Sequence, residues 1–417
     1  MSTSTTYFAR TFRTFRYRDF RIMWLGACAS TIGTFVQQFA QSWLVFDLTK
    51  DPFYLGLDLF LGQLPIMMFS LFGGVFADRM DRRKMLLASQ YIQMFCAFLL
   101  AALFVLHVVK VWHILTLSFI VGVGQSFGGP AYSSLLPTLV EPEDLSNAIA
   151  MNSIQFNLAR VLGPILGGLA YTLLGAKWCF TLNGISYLAV IASLMMIHVK
   201  FIPAKTTESV MHSMKQGIQF IRQREGMSTL VVLAFCTTLF GFSLNGFLPV
   251  FVRNIFHRGP ETYTLLLSSS GAGSICGGLA VASRQKMKGQ GRLTLIILAA
   301  LGMITAGFAL SRWLPVSCVL IFLGGAAIMA SASFMLSLAQ LSATDQMRGR
   351  VMSVYNLAFR SGIPLGALVL GKLIPILGVT RALGGSGLLL TMLAASMLVT
   401  RKDETFQGGQ EAGAPSA

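Results

Sequence analysis

The chain has 417 residues, of which 54% are hydrophobic and only 12% charged, and its mean hydropathy is +0.68. A soluble domain puts charge on about a quarter of its positions, so this composition excludes a water-soluble enzyme and requires much of the outer surface to lie in lipid. The formal charge of +16 would indicate nucleic acid in a soluble protein, but here its placement along the chain decides its meaning.

After a basic N-terminus, 1–21, about twelve apolar runs follow one another, each of roughly 20 residues and so long enough to cross a hydrocarbon core as a helix. The first six cover 22–46, 53–77, 85–109, 112–136, 148–174 and 178–199. The run at 22–46 is too long for a signal-peptide core and reads as a retained span. Asp51-Pro52, Lys110, Glu141-Pro142-Glu143-Asp144 and Gly175 separate these runs as turn and interface residues. A polar stretch, 200–226, then divides the chain; within it Val210, Met214, Ile218 and Ile221 fall near helical spacing opposite Lys215, Arg222 and Arg224, which predicts an amphipathic helix on the inner leaflet. The second six runs cover 227–250, 262–283, 293–310, 314–341, 351–377 and 382–399, with a polar tail at 401–417. The domains expected are an N-terminal half at 22–199, the linker at 200–226 and a C-terminal half at 227–400.

Most of the 32 lysines and arginines sit on one side of these runs, in the N-terminus, the loop at Arg79, Arg82, Arg83 and Lys84, the linker, the loop at Arg284 to Arg292, and at Arg348, Arg350, Arg401 and Lys402. Short basic loops stay cytoplasmic, so a multi-pass protein of the cell's inner (plasma) membrane with both termini cytoplasmic is expected, and attraction to anionic headgroups accounts for the charge without a nucleic-acid partner. The six cysteines are scattered singly, without a Cys-x-x-Cys pair, and the histidines show no ligand spacing, so neither a disulfide framework nor a metal site is expected. No G-x-x-x-x-G-K-[ST] loop occurs, so neither ATP nor another cofactor is expected and the energy must come from a gradient or from the substrate itself.

The halves echo one another. Asn157-Leu158-Ala159-Arg160 with Gly163 and Pro164 has a counterpart in Asn356-Leu357-Ala358-Phe359-Arg360 with Gly362 and Pro364, and Gly73-Gly74 has one in Gly277-Gly278. The segment Gly74-Val75-Phe76-Ala77-Asp78-Arg79-Met80-Asp81-Arg82-Arg83 resembles the major facilitator signature G-x-x-x-D-R-x-G-R-R, departing from it at Asp81. Gly163-Pro164-Ile165-Leu166-Gly167-Gly168 is similar to the G-P-x-x-G-G core of the proton-exchanging exporters' motif, with Ala159 in place of its first glycine. Asp78 to Lys84, Leu135 to Val140 and Gly349-Arg350-Val351 are similar to the branch that includes the enterobactin exporter and the macrolide efflux proteins.

The resemblance implies an all-α membrane protein, twelve transmembrane helices in two six-helix halves (the major facilitator fold), and no enzyme. By resemblance, Asp78, Arg79, Arg82 and Arg83 form a cytoplasmic gate with the start of the eleventh span, where Arg348 and Arg350 sit; the bland alternative is that the basic loop only enforces topology. Gly163, Pro164, Gly167 and Gly168 serve close packing and bending of the fifth span. Of the 16 acids, Asp58 is the one clearly inside a run, roughly 8 Å deep at about 1.5 Å per residue, and Lys372 near the outer end of the eleventh run is its candidate partner. The pair is a proton-coupling site, an outer gate or a static bridge. Arg160 and Arg360 lie near mid-membrane, either as cavity residues that attract an anionic group or as side chains holding carbonyls of kinked helices. Gln37, Gln41, Gln125, Gln155, Asn245 and Asn356 are expected in the cavity, with interhelical hydrogen bonding as the alternative.

The function expected is secondary active transport by alternating access. The cargo is a small amphipathic organic molecule such as a siderophore, macrolide or other drug, moved outward in exchange for protons, with membrane lipid as the other partner. Uptake of a siderophore, metal complex or lysolipid, or a non-transporting sensor on the same fold, are the alternatives.

Overall fold

A computed structural model describes residues 12–198, 210–224, 226–283, 289–344 and 346–400, with the side chains of 71–79, 210, 211, 213 and 243 outside the description. Among the described residues the regular structure is helical: α1 Arg18–Thr49, α2 Pro52–Arg79, α3 Arg82–Val105, α4 Val111–Leu135, α5 Leu145–Leu174, α6 Ala176–Met196 and α7 Val210–Gln223. Then come α8 Met227–Thr237, a π-helical turn Thr238–Phe242, α9 Ser243–Gly246, α10 Leu248–Asn254, α11 Pro260–Ala282, α12 Gln290–Leu310, α13 Leu314–Ser342, α14 Arg348–Leu377 and α15 Val379–Thr400.

Eleven helical stretches among the described residues are long and apolar enough to cross a membrane. The 32-residue α1 falls below that hydropathy because Gln37, Gln38 and Gln41 interrupt its apolar run, and it supplies the remaining member of the expected twelve. The seventh run is not one helix: the π turn loosens it at Thr238–Phe242, and Pro249, which has no N–H to continue the ladder, sits in the first turn of a new helix. The repeat is visible in α5 and α14. Each has 30 residues, an internal proline, and a closing glycine at positive φ, Gly175 at 89° and Gly378 at 80°, where a side chain would be strained.

The chain separates into two compact units, Met1–Lys50 with Leu61–Thr207, and Asp51–Phe60 with Glu208–Ala417. In the first, α1 packs on α5 and α6 while α3 packs on α4 and α6. Phe20, Met23, Leu86, Leu135, Met151, Tyr187 and Leu194 fill its core. Lipid tails are as apolar as leucine, so close approach rather than water exclusion must hold such helices together. Accordingly a Cβ on Gly26 would lie 2.5 Å from Ser193 Oγ, and one on Gly163 would meet the Phe35 side chain of α1. A Cβ on Gly167 would lie 3.2 Å from the Phe39 ring, and Gly163, Pro164, Gly167 and Gly168 are all buried.

In the second unit α11 packs on α13, α12 on α13 and α15, and α14 on α8 and α15. Backbones touch here too: Cβ atoms on Gly273 and Gly277 of α11 would meet the carbonyls of Phe322 and Ala326 on α13. The first turns of α2 belong to this unit, where Gly56 lies against the Ala367 carbonyl and Gly371 of α14. The amphipathic α7 also packs on α14. Gly217 sits so close that a Cβ would be 2.8 Å from the Arg350 carbonyl oxygen, and Ile221 is buried with Met227, Ala343 and Val351. Ile218, expected on the membrane-facing stripe with Met214 and Ile221, is exposed, so the helix turns its Gly217 and Ile221 side to the protein.

Candidate functional site

The polar interior of the first unit is built from uncharged side chains on five helices. Gln41 of α1 donates to Ser118 Oγ of α4 at 2.9 Å and accepts from Gln37 at 3.3 Å; Asn183 of α6 donates to Gln37 Oε1 at 2.7 Å. A second cluster centres on Gln93 of α3, whose Oε1 accepts from Gln125 of α4 at 3.0 Å and from the Tyr187 hydroxyl of α6 at 3.2 Å. Its amide nitrogen donates to Ser89 Oγ at 3.1 Å, and Thr34 of α1 lies 3.4 Å from the Tyr187 hydroxyl. Gln155 of α5 donates to Thr31 at 2.8 Å, while its Oε1 is buried without a partner. Amides both donate and accept, so such a network satisfies itself while retaining sites that a ligand can take over.

The structure thus brings Gln37, Gln41, Gln125 and Gln155 into interhelical hydrogen bonds, and adds Gln93, Asn183, Ser118 and Tyr187 to them. Gln93 had a readable signal, since Ser89 and Gln93 stand one helical turn apart inside an apolar run. Asn245 and Asn356 belong to the other unit: Asn245 accepts from Ser270 at 3.4 Å, and Asn356 is exposed on α14.

Arg160 is half-buried on α5 and Arg360 exposed on α14, each near the middle of its helix. Neither makes an ion pair or side-chain hydrogen bond among the described residues. Asp58 is 6% exposed and has polar partners of its own, whereas Lys372 is exposed.

Three charged residues of the loop that carries the signature, Asp81, Arg82 and Arg83, are tied within the first unit. Asp81, the departure from the signature, is the N-cap of α3, accepting from the backbone N–H of Arg83 at 3.0 Å and of Lys84 at 3.4 Å. Arg82 donates to the Ser134 carbonyl at 2.9 Å and Arg83 to the Met195 carbonyl at 2.8 Å, each near the C-terminal end of a helix where cations are favoured. Asp78 and Arg79 lie among the side chains outside the description. Arg348 donates to the Gln340 carbonyl at 3.3 Å, and Arg350 to Met347 Sδ at 3.6 Å. Beside the first unit's loop, Arg13 and Arg16 reach buried Asp144 at 3.1 and 3.0 Å, and the Tyr17 hydroxyl donates to it at 2.8 Å.

Comparison with known proteins agrees with this architecture. The macrolide efflux protein A of Streptococcus pyogenes is 24% identical over 90% of this chain and 94% of that protein. The staphyloferrin A transporter of Staphylococcus aureus is 21% identical over 87% and 92%. Among solved structures, a bacterial homologue of the human lysosomal transporter Spinster superposes with a TM-score of 0.73 at 12% identity, covering 96% of this chain and 99% of its own. A family model described as a transmembrane secretion effector matches residues 9–412, nearly the whole length, so the chain belongs to that family of major facilitator transporters and not to a family of enzymes.

Proposed function

We propose that the chain exports a small amphipathic organic molecule in exchange for protons, by alternating access, from a membrane in which both termini are cytoplasmic. The observation that carries the coupling is Asp58, a carboxylate 6% exposed within a membrane span. Acids at such depth are costly and are kept where a proton must be taken up and given back. Asp58 sits on the portion of α2 that groups with the second unit, beside the Gly56 approach to α14, so a change in its protonation acts at a helix crossing. Lys372 is the proposed modulator of that site.

The interhelical amides of Gln37, Gln41 and Gln125, with Gln155 whose Oε1 is left without a partner, suit a cargo with scattered hydrogen-bonding groups on an apolar body, because they exchange partners without stranding a charge. Asp78, Arg79, Arg82 and Arg83 form the proposed cytoplasmic gate. Outward direction is supported by the likeness to a protein named for macrolide efflux, and the relative named for staphyloferrin A brings siderophores into the set of cargoes.

The test is a deletion strain carrying wild-type or Asp58→Asn protein, screened for growth and intracellular accumulation against macrolides, siderophores and other amphipathic compounds. The wild type should lower accumulation of at least one compound and Asp58→Asn should not. Equal accumulation with and without the protein across the set opposes export.

A further inference from the structure

Along its 30 residues α14 carries Arg348, Arg350, Arg360 and Lys372 and no acid. The helices of its unit that pack on it, α7, α8, α9, α13 and α15, and the π-helical turn contain no acid either. Asp58 stands two residues from Gly56, which meets α14 at Ala367 and Gly371, about two and three turns beyond Arg360. Arg348 and Arg350 have partners near the start of the helix, whereas Arg360 makes no ion pair or side-chain hydrogen bond among the described residues. No carboxylate of the described residues neutralises it.

The position is both deep and wet. Arg360 is exposed about 18 Å along the helix from Arg348, and a guanidinium in open hydrocarbon at that depth is too costly to persist, so this face of α14 meets water. Exposed Asn356 lies one turn earlier on the same face and also has no side-chain hydrogen bond among the described residues; half-buried Ser353 and exposed Gly349 continue the face toward the helix start. Helical side chains lean toward the N-terminus, which brings the Arg360 head over the Asn356 amide. Along one edge of this stripe Met352, Phe359 and Ile363 are half-buried. Phe359 is held there as a platform, stacked on Tyr355 at 6.2 Å and edge-on to Phe242 of the π turn at 5.9 Å. On α5 the matching amide is already engaged, since Asn157 donates to the Ser153 carbonyl at 2.8 Å, and Arg160 is half-buried.

We infer that Asn356 and Arg360 bind the carboxylate of an amphipathic organic acid whose apolar body lies over Met352 and Phe359. The guanidinium fork pairs with the carboxylate, an Asn356 N–H donates to it, and the half-buried apolar edge covers the rest of the molecule. A neutral analogue gives the guanidinium no counter-charge, and an anion without an apolar body leaves the Phe359 edge in water. This names the substrate class for the export reading above and rests on it for its biological meaning, but binding is measured without any gradient and stands or falls separately.

The test is equilibrium calorimetry on the purified full-length protein in detergent, with the heat of detergent alone subtracted. Three probes are compared: 2-naphthoate; 2-naphthamide, which keeps the body and loses the charge; and acetate, which keeps the charge and loses the body. Naphthoate should bind more than tenfold more tightly than naphthamide, the least that a charge-assisted hydrogen bond is worth, and acetate should bind weakest. In Arg360→Gln the two naphthyl probes should bind within about twofold of each other, and Arg360→Lys should recover part of the preference. Asn356→Ala should weaken naphthoate about threefold. Phe359→Ala should weaken both naphthyl probes alike and keep their ratio. Melting temperatures confirm that each variant is folded, and the comparison of probes on the wild type needs no variant. Equal binding of naphthoate and naphthamide by the wild type, no binding of naphthoate at millimolar concentration, or an acid preference that survives Arg360→Gln each overturns the proposal. A wild type that holds the preference yet lowers no compound's accumulation contradicts export and leaves the site in place; one that lowers accumulation without the preference does the reverse.

Discussion

Replacing Gln93 with leucine keeps the volume of the side chain and removes every polar atom that holds the second amide cluster together. Its Oε1 accepts from Gln125 at 3.0 Å and from Tyr187 at 3.2 Å, and its nitrogen donates to Ser89 Oγ at 3.1 Å, all at a position only 4% exposed. Each donor stranded in a soluble core costs about 1–3 kcal/mol, whereas interhelical hydrogen bonds inside membranes average about 0.6 and reach about 1.7 kcal/mol. With two donors left behind, Gln93→Leu should lose about 1–3 kcal/mol. Gln125→Leu removes a single donor and leaves Tyr187 bonded to Gln93, so it should cost roughly 1 kcal/mol. The double variant should then cost less than the sum, because once Gln93 is gone Gln125 has lost its partner there; the coupling should be about 0.6–1.5 kcal/mol. Unfolding of the purified protein in a mixed detergent and dodecyl sulfate titration measures all four corners of the cycle. If Gln93→Leu is as stable as the wild type, or the two losses simply add, the amide cluster is not the connected unit described here.

Asp81→Ala deletes the N-cap of α3 and should lower stability by about 1 kcal/mol, with Asp81→Asn or Asp81→Ser largely harmless, as thermal unfolding will show. Gly277→Val places a branched side chain where a Cβ already meets the Ala326 carbonyl, so α11 must shift from α13 at a cost of about 1–3 kcal/mol, read as a lower melting temperature. Gly217→Val should lift α7 from the Arg350 carbonyl and raise protease cleavage within 210–224, whereas Ile218→Ser on the exposed side should leave cleavage unchanged. Asp144→Ala removes the acceptor shared by Arg13, Arg16 and Tyr17 and should speed proteolysis at 12–17. Arg16→Ala should have a smaller effect, since the arginines are about half exposed and water screens each pair to roughly 0.2–1 kcal/mol.

The spans were legible because hydropathy over roughly 20 residues is a direct record of contact with lipid. The weakest record is in α1, where Gln37, Gln38 and Gln41 lower the apolar signal for the very reason that the helix joins a polar network. The members of that network were readable as polar residues in apolar runs, but their pairing was not: Gln93 draws its partners from α3, α4 and α6, and nothing local in the sequence encodes those encounters. Spacing disclosed that α7 is amphipathic, yet the residue that sets its docking is Gly217, whose value lies in lacking a side chain and so leaves no hydrophobic mark. Asp81 was visible as a departure from a signature; its position directly before Arg82–Val105 makes it a helix cap. Arg13 and Arg16 read as topology signals, and Glu141 and Asp144 as a turn, because complementary charges far apart in sequence carry no pattern until the chain folds.

Proton-coupled export is tested most directly in sealed proteoliposomes with an imposed pH gradient, using the compound that the wild-type strain keeps out. The wild-type protein should drive that compound uphill against the proton flow and should continue to exchange it when the gradient is collapsed. Asp58→Asn should lose the uphill movement and keep the exchange. Uphill transport with a normal pH dependence in Asp58→Asn, or wild-type transport indifferent to the gradient, would contradict the account.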